Sequence, residues 1–195
     1  DGSVEAFTER WGDEPRVELL CNGSNLGYAG GNDAGFEHLL RGEPGHVLVL
    51  NNDTLIEPGA ITALADALDA DEGLAMVGPK VLEMDRRDRL GCSFDRVRLW
   101  CFGASPTTAG VIDGGQFDHV RHLDAVTGCA MLVRADALRE SGGFDRDYFA
   151  YYEEVDLAFR LRRAGWRLGF VPAARVYHEG GGSTAGQSAV VHYYK

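Results

Sequence analysis

The chain has 195 residues, of which 45% are hydrophobic and 25% charged, a composition typical of a soluble globular protein with one sizeable core. It carries 30 acidic against 19 basic residues and a formal net charge of −11, which argues against nucleic acid as a partner. No apolar run approaches the roughly 18 residues that a membrane-spanning helix needs.

The four cysteines are Cys21, Cys92, Cys101 and Cys129, which show no C-x-x-C spacing and have no histidine set nearby. They therefore predict neither a zinc site nor a disulfide scaffold. Reduced, mostly buried thiols are typical of a cytoplasmic protein, and this is the location that we expect.

The first predicted element is a helix from Ser3, its N-cap, to about Trp11, and a strand over Val17–Cys21 follows. A glycine-rich segment then leads to Asn32, which we expect to cap a helix running to about Leu40.

The glycine-rich segment places Gly30 and Gly31 just before the helix that Asn32 is predicted to cap. The free N–H groups at a helix start bind anions, so this corner is a candidate phosphate site. A plain strand-to-helix turn stays open as an alternative, because the spacing is not G-x-G-x-x-G.

A short apolar run, Val47–Leu50, ends abruptly in Asn51, Asn52 and Asp53. Four consecutive apolar residues predict a strand buried on both faces of a parallel sheet, and such sheets bind ligands beyond the carboxyl ends of their strands. Asp53 is therefore placed to hold a hard cation against the phosphates of a nucleotide. The alternative, a simple strand-ending turn, stays open.

The middle of the chain alternates helix and strand, which predicts an α/β sheet. Leu74–Pro79 is predicted to be a buried strand. The charged run Asp85–Arg89 is predicted to be a solvated turn, and Gly103–Gly115 a loop. A helix over Pro58–Ala70 precedes the strand, with one apolar face formed by Ile61, Leu64, Ala65 and Leu68.

A second apolar run, Val126–Val133, is interrupted by Gly128, where the missing side chain lets a substrate come close. A short helix is predicted next, over Ala135–Ser141. The glycine pair Gly142 and Gly143 is expected to end it.

Three carboxylates, Glu153, Glu154 and Asp156, follow the aromatic segment Tyr148–Tyr152 and open a predicted helix. A helix N-terminus favours negative charge, so at least one carboxylate can stay ionised and accept a proton near neutral pH. Glu154 continues the apolar stripe of the helix, whereas Asp156 stands four residues before Arg160, a spacing typical of an ion pair. A plain helix-start carboxylate stays open as the alternative for Glu154.

The last core strand is predicted over Trp166–Pro172, and Val176–His178 then leads into a triple-glycine loop. A lone histidine is most often structural or exposed. Its place between a strand end and a glycine loop makes His178 a candidate metal ligand.

Six segments of the chain together resemble family 2 glycosyltransferases, in particular their rhamnosyltransferase-like branch. Each segment alone is weakly specific, but all six stand in the family's order and rough spacing, and they extend over nearly the whole chain. The segments are Asn25–Asn32, Leu50–Asp53, Thr127–Arg134, Gly142–Asp145, Tyr152–Leu157 and His178–Ser183.

The resemblance implies an α/β protein of GT-A fold, a three-layer α/β/α sandwich with a mostly parallel central sheet. It also implies inverting transfer of a sugar, with rhamnose as a candidate, from a UDP- or dTDP-linked donor and with Mg²⁺ or Mn²⁺ as cofactor. The expected acceptor is a saccharide or a lipid-linked molecule in cell-surface polysaccharide synthesis.

Carried over to this sequence, the resemblance makes Asp53 and His178 the metal ligands and Glu154 the general base, where Asp is the more usual residue. Asn51 stands where the family's D-x-D-type motif often has its first Asp. The stretch Arg98–His119 and the aromatic segment Tyr148–Tyr152 are expected to help select the acceptor, because both lie between the motifs. The expected donor-binding residues are Asn25, Gly27, Gly30, Gly31, Asn32, Asn51, Asn52 and Asp53, and the expected acceptor- or sugar-binding residues are Gly128, Tyr152 and Glu153.

The family begins with a strand and helix that this sequence lacks, and relatives continue past its last residue into helices that often associate with membranes. We therefore expect residues 1–195 to be one glycosyltransferase domain of a longer chain, peripheral at the inner face of the cell membrane. A non-catalytic module that binds a nucleotide sugar or a protein partner is the alternative. A sugar-phosphate nucleotidyltransferase is disfavoured, because its glycine-rich opening motif is missing.

Overall fold

The computed structural model describes residues 2–91, 95–98, 103–106, 108–119 and 121–179. Cys92, Cys101 and the triple-glycine loop lie outside the described residues, as does part of the stretch 98–119. The helices are α1 (Ser3–Trp11), α2 (Gly27–Leu39), α3 (Ala60–Ala70), α4 (Ala135–Ser141) and α5 (Glu153–Arg163). The strands are β1 (His46–Leu50), β2 (Thr54–Ile56), β3 (Leu74–Glu83), β4 (Asp95–Arg98), β5 (Gly103–Pro106), β6 (Ala130–Arg134) and β7 (Arg167–His178).

Five strands form one sheet in the order β1-β6-β3-β7-β2. Only β3 and β7 pair in parallel within this described sheet, whereas β1–β6, β3–β6 and β2–β7 are antiparallel. The α/β class is confirmed, but the mostly parallel sheet predicted from the sequence is wrong. The three residues between β1 and β2 explain part of the difference, because a link so short cannot make the crossover that a parallel strand requires.

Helices cover both faces of the sheet, as a three-layer sandwich requires. On one face Phe36 of α2 and Leu157 of α5 pack with Met131 and Val133 of β6. On the other face Leu64 and the rest of the buried side of α3 pack with side chains of β3, β6 and β7. Among the described residues, no helix is both long enough and apolar enough to span a membrane.

Strand β1, which was predicted to be buried on both faces, is buried on one face only. Val47 and Val49 of β1 are buried, but Leu48 is half-buried and Leu50 is 39% exposed. Within the described sheet β1 lies at an edge and pairs with β6 alone. The strand buried on both faces is β3, which includes the predicted Leu74–Pro79 and is buried to residue 82.

Several local predictions are confirmed. Helix α4 covers the predicted Ala135–Ser141 and ends at Gly142, whose φ of 78° is left-handed. Residues 85–88 form the predicted exposed turn. In α3, Leu64 and Leu68 are buried as expected, but Ile61 is 48% exposed, so the inward face is narrower than the sequence pattern indicated.

Three further predictions are wrong. Two concern the start of the chain, and the third concerns its middle. Val17–Cys21 forms no strand, because these residues are exposed and pair with no described strand. Helix α1 spans the predicted residues, but Gly2 rather than Ser3 is its N-cap. In the predicted loop from residue 103 to 115, the backbone of Gly103–Pro106 pairs antiparallel with β4.

Helix α2 begins five residues before Asn32, so the predicted capping role of Asn32 is wrong. The Asn25 side chain accepts a hydrogen bond from the Gly27 N–H at 2.9 Å, just ahead of the first turn. Gly27 has a left-handed φ of 70°, and a Cβ there would lie 2.1 Å from the carbonyl oxygen of Phe149. The close approach of a distant backbone segment therefore fixes where the helix starts.

Lys80 is the largest polar side chain buried within the sheet, with 1% of its side chain exposed. Its ammonium group donates to both carboxylate oxygens of Asp113 at 3.0 Å and to Asp118 at 2.5 Å. Arg175 of β7 lies 3.8 Å from Asp113. These charges anchor the segment 108–119 to the sheet, because a buried ammonium requires compensating carboxylates.

Lys80→Met should lower the free energy of unfolding by about 3–5 kcal/mol, because it leaves the Asp113 carboxylate, which is only 9% exposed, without its main partner. Burial opposes the charge on Asp113, but hydrogen bonds from Lys80 and Gly115 lower the pKa of Asp113 below its usual 3.8. The stabilisation should therefore be complete above pH 3.8 and be lost as the pH falls through the folded-state pKa. Urea titrations across pH measure this difference.

Arg86→Met is the matched control, since Arg86 pairs with Glu83 at the surface and its side chain is 61% exposed. It should change stability by less than about 1 kcal/mol. Equal effects of the two substitutions would contradict an anchoring role for Lys80.

Gly27→Ala should destabilise the protein by at least about 2 kcal/mol, because the added Cβ is both conformationally strained and in contact with backbone. Gly35→Ala in the same helix should instead stabilise by about 0.5–1 kcal/mol, since its Cβ meets nothing within 4 Å. Thermal unfolding of the two variants checks the opposite signs. A destabilised Gly35→Ala, or an unaffected Gly27→Ala, would show that the contact with Phe149 is not what places α2.

Candidate functional site

Four strands meet along one side of the sheet, where β1 and β7 end and where β2 and β6 start. This row of strand ends is called the edge of the sheet from here on. Leu50, the last residue of β1, stands opposite Ala130, the first residue of β6. Just beyond this pair, the Asn51 N–H donates to the carbonyl oxygen of Cys129 at 2.9 Å. The predicted Asn51 and Gly128 are thus brought to the same place from distant parts of the chain.

Asp53 and His178 meet at this edge as well. Thr54, at the start of β2, is in register with His178, the last residue of β7. The His178 Nε2 atom lies 3.2 Å from Asp53 Oδ1, and the Glu179 N–H donates to the Asp53 carbonyl at 3.1 Å. The structure therefore places together the two residues that the sequence predicted as metal ligands.

The pair fits a divalent cation by its chemistry and surroundings. Asp53 Oδ1 is buried and accepts no hydrogen bond of suitable geometry among the described residues, although His178 Nε2 lies 3.2 Å away, so the oxygen can still bind a cation. A carboxylate oxygen and an imidazole nitrogen are common ligands of Mn²⁺. No cluster of three or more such side chains occurs in the described part of the chain, which supplies this pair as the candidate ligands.

A strained turn brings the first residues of α5 into place. Tyr151 and Tyr152 both have φ of 72°, a left-handed conformation that costs bulky residues energy and is concentrated at functional sites. Glu153 and Glu154 follow directly as the first residues of α5. Glu153 is buried with 4% exposure, while Glu154 is half-buried, and the Oε2 atom of each carboxyl group is buried.

Asp156, the third carboxylate, has the structural role that its spacing predicted. Its Oδ2 atom accepts a hydrogen bond from Arg160 Nε at 2.7 Å. The same guanidinium donates to the carbonyl oxygens of Ser141 and Gly143. Arg160 thereby fixes α5 to the end of α4 and leaves the two glutamates for the edge of the sheet.

Tyr28 of α2 joins these elements and was not identified from the sequence. Its hydroxyl donates to the Gly128 carbonyl oxygen at 2.5 Å. Burial raises the pKa of Tyr28, and the charges of Glu153 and Glu154 raise it further. The only sequence signal was its position inside the glycine-rich segment, between Gly27 and Gly30.

The remaining predicted donor-binding residues lie on or beside α2 and the turn after β1. Gly30, Gly31 and Asn32 are within the helix, and Asn32 Nδ2 donates to the carbonyl oxygen of Tyr28 at 2.9 Å. The predicted anion corner ahead of a helix capped by Asn32 is therefore not formed. Asn25 lies at the helix start and Asn52 is exposed in the turn, and the binding roles of all five residues stay predictions.

The model of the Glycosyltransferase like family 2 matches residues 2–191. The chain belongs to this family. Its relatives include the N-acetylglucosaminyl-diphospho-decaprenol L-rhamnosyltransferase of Mycobacterium tuberculosis, 31% identical over 208 aligned positions that cover 94% of this chain. The chain spans 64% of that relative's length.

Two further proteins extend the comparison. Rhamnosyltransferase WbbL of Escherichia coli K12 is 45% identical over 56 residues, covering 29% of this chain and 21% of WbbL. The crystal structure of GalNAc-T7 with UDP, GalNAc and Mn²⁺ superposes with a TM-score of 0.64 at 14% identity, covering 90% of this family 2 chain and 34% of GalNAc-T7. The GT-A-like fold predicted for this chain is confirmed, with a mixed central sheet.

Asp53→Asn should weaken Mn²⁺ binding in the presence of UDP by at least about tenfold, because a neutral amide replaces the buried carboxylate. Calorimetric titration with MnCl₂ measures the change. Asp66→Asn is the matched control, since Asp66 is exposed on α3, away from this edge. Unchanged Mn²⁺ affinity in Asp53→Asn would show that the Asp53–His178 pair is not a metal site.

Proposed function

We propose that this chain is the catalytic part of an inverting glycosyltransferase that transfers a sugar from a nucleotide-diphosphate donor to an acceptor hydroxyl. The observation that carries the proposal is the meeting of two groups at one edge of the sheet. One is the Asp53–His178 pair, and the other is Glu154 at the start of α5, which Tyr28 links to the Gly128 segment at the same edge.

In the proposed reaction, Glu154 accepts the proton of the acceptor hydroxyl while the acceptor oxygen forms a bond to the anomeric carbon. The bond from that carbon to the diphosphate breaks on the opposite face, so a single displacement inverts the configuration. Asp53 and His178 would hold a divalent cation, which neutralises charge on the leaving diphosphate when bound.

The relatives support a narrower form of the proposal. The Mycobacterium tuberculosis relative is named for L-rhamnosyl transfer and for a diphospho-decaprenol acceptor, and the GalNAc-T7 structure contains UDP and Mn²⁺. We infer a UDP- or dTDP-linked donor, with rhamnose as the candidate sugar, and a saccharide or lipid-linked acceptor. If the enzyme uses a lipid-linked acceptor, we expect it to act at the inner face of the cell membrane.

Glu154→Gln should reduce transfer by about 10²–10⁴-fold, because the amide cannot accept the proton, while UDP binding and folding stay unchanged. Product formation from radiolabelled donors, together with calorimetric UDP binding, measures the two effects separately. Glu72→Gln, in an exposed turn, should leave both unchanged. Full activity in Glu154→Gln would exclude it as the base, and a wild-type chain that binds donor without transfer would favour a non-catalytic module.

A further inference from the structure

The first turn of α2 contacts two segments that reach the candidate site from different parts of the chain. The Tyr28 hydroxyl donates to the carbonyl oxygen of Gly128, in the segment just before β6. The Ala29 N–H donates to the carbonyl oxygen of Phe149 at 3.4 Å, in the segment just before α5. This turn therefore joins the segment before β6 to the segment before α5.

The glycine at position 128 leaves room for the Tyr28 hydroxyl. A Cβ atom built on Gly128 would lie 3.2 Å from the hydroxyl oxygen and 3.5 Å from the ring carbon that bears it. The first of these distances is tighter than ordinary van der Waals contact. The sequence pattern indicated that the missing side chain admits a substrate, but in the structure the nearest described group in that direction is Tyr28.

The segment that Tyr28 holds is also bonded to the turn that carries Asp53. The carbonyl oxygen after that of Gly128, which belongs to Cys129, accepts a hydrogen bond from the Asn51 N–H at 2.9 Å. Consecutive carbonyl groups of one segment are thus bonded to α2 and to the turn after β1. The position of α2 is in this way linked to the metal side of the candidate site.

The Tyr28 side chain is held in one orientation and keeps its proton. Its ring lies against Phe144 with the ring centroids 6.0 Å apart, and its carbonyl oxygen accepts from Asn32 Nδ2 at 2.9 Å. Burial raises the pKa of Tyr28, and the charges of Glu153 and Glu154 raise it further. The hydroxyl group therefore remains a hydrogen-bond donor at neutral pH.

We propose that Tyr28 is a positioning residue, which sets the start of α5 with Glu154 against the turn that carries Asp53. The inference rests on the proposed function, because it concerns the alignment of the base with the donor in the same site. A displacement reaction is sensitive to such alignment, since a misplacement of about 1 Å can lower the rate about 10²-fold. Gly128 then serves the site by admitting the tyrosine hydroxyl.

Tyr28→Phe removes the hydroxyl group and keeps the ring. The turnover number for sugar transfer should fall by at least about tenfold, because the base and the donor are no longer held in alignment. The dissociation constants for UDP and Mn²⁺ should stay within about twofold of wild type, because Asp53 and His178 keep their own contacts. Transfer kinetics and calorimetric titration measure the two quantities separately.

Tyr177→Phe is the matched control, because it makes the same chemical change at a hydroxyl that donates to Glu57 instead. It should leave the turnover number within about twofold of wild type. An equal loss of turnover in Tyr177→Phe would overturn the inference, because general loosening of the fold would then explain both variants.

The other outcomes separate this inference from the proposed function. Wild-type turnover in Tyr28→Phe beside an inactive Glu154→Gln would overturn the inference and leave the proposed function intact. A parallel loss of UDP and Mn²⁺ binding in Tyr28→Phe would also overturn it, because the hydroxyl would then shape the donor site itself. Full activity in Glu154→Gln would overturn the proposed function, on which the inference rests.

A double-mutant cycle tests the contact between Tyr28 and Gly128 without any activity. Gly128→Ala should lower the melting temperature of the wild-type chain, because the new Cβ atom displaces the tyrosine hydroxyl. The decrease should be smaller by at least about 2 °C in the Tyr28→Phe background, where that oxygen is absent. Equal decreases in the two backgrounds would overturn the role inferred for Gly128.

Discussion

The direction of the strands is the constraint on which the candidate site depends. Because β1 and β7 run one way and β6 and β2 run the other way, two strand ends and two strand starts meet at one edge of the sheet. This meeting sets Asp53 beside His178 and Asn51 beside Cys129 without a long loop reaching across. Helix α5 then adds its first turn to the same edge through the contact of Tyr28 with the segment before β6.

The negative charge of the carboxylates near this edge is compensated differently at different places. Toward the centre of the sheet, Lys80 compensates two aspartates within the protein itself. At Asp53, the positively chargeable group that the described residues bring to the buried oxygen is the imidazole of His178, and the proposed divalent cation would add to it. At Glu153, burial raises the pKa of the carboxyl group and so favours its neutral form.

Much of the local structure could be predicted because its causes are local. Helix α4 ends where Gly142 provides a left-handed residue, and α5 begins where carboxylates favour a helix N-terminus. The candidate metal ligands could also be found in this way, because Asp53 and His178 each stand at the polar end of an apolar run. Their pairing agrees with the family resemblance, which relates six segments that are far apart in the chain.

The structural features that the local sequence pattern did not predict depend on contacts between residues that are far apart in the chain. Helix α2 starts at Gly27 rather than after Asn32, because the backbone of Phe149 approaches it closely. Tyr28 enters the site through a hydrogen bond to a residue 100 positions away. The sequence by itself determined the class of fold, the family and the ends of some local elements such as α4, because periodicity, capping and motif order are written along the chain. Only the tertiary structure decided which strands are antiparallel and which glutamate is buried. Both depend on packing against residues that are distant in the sequence.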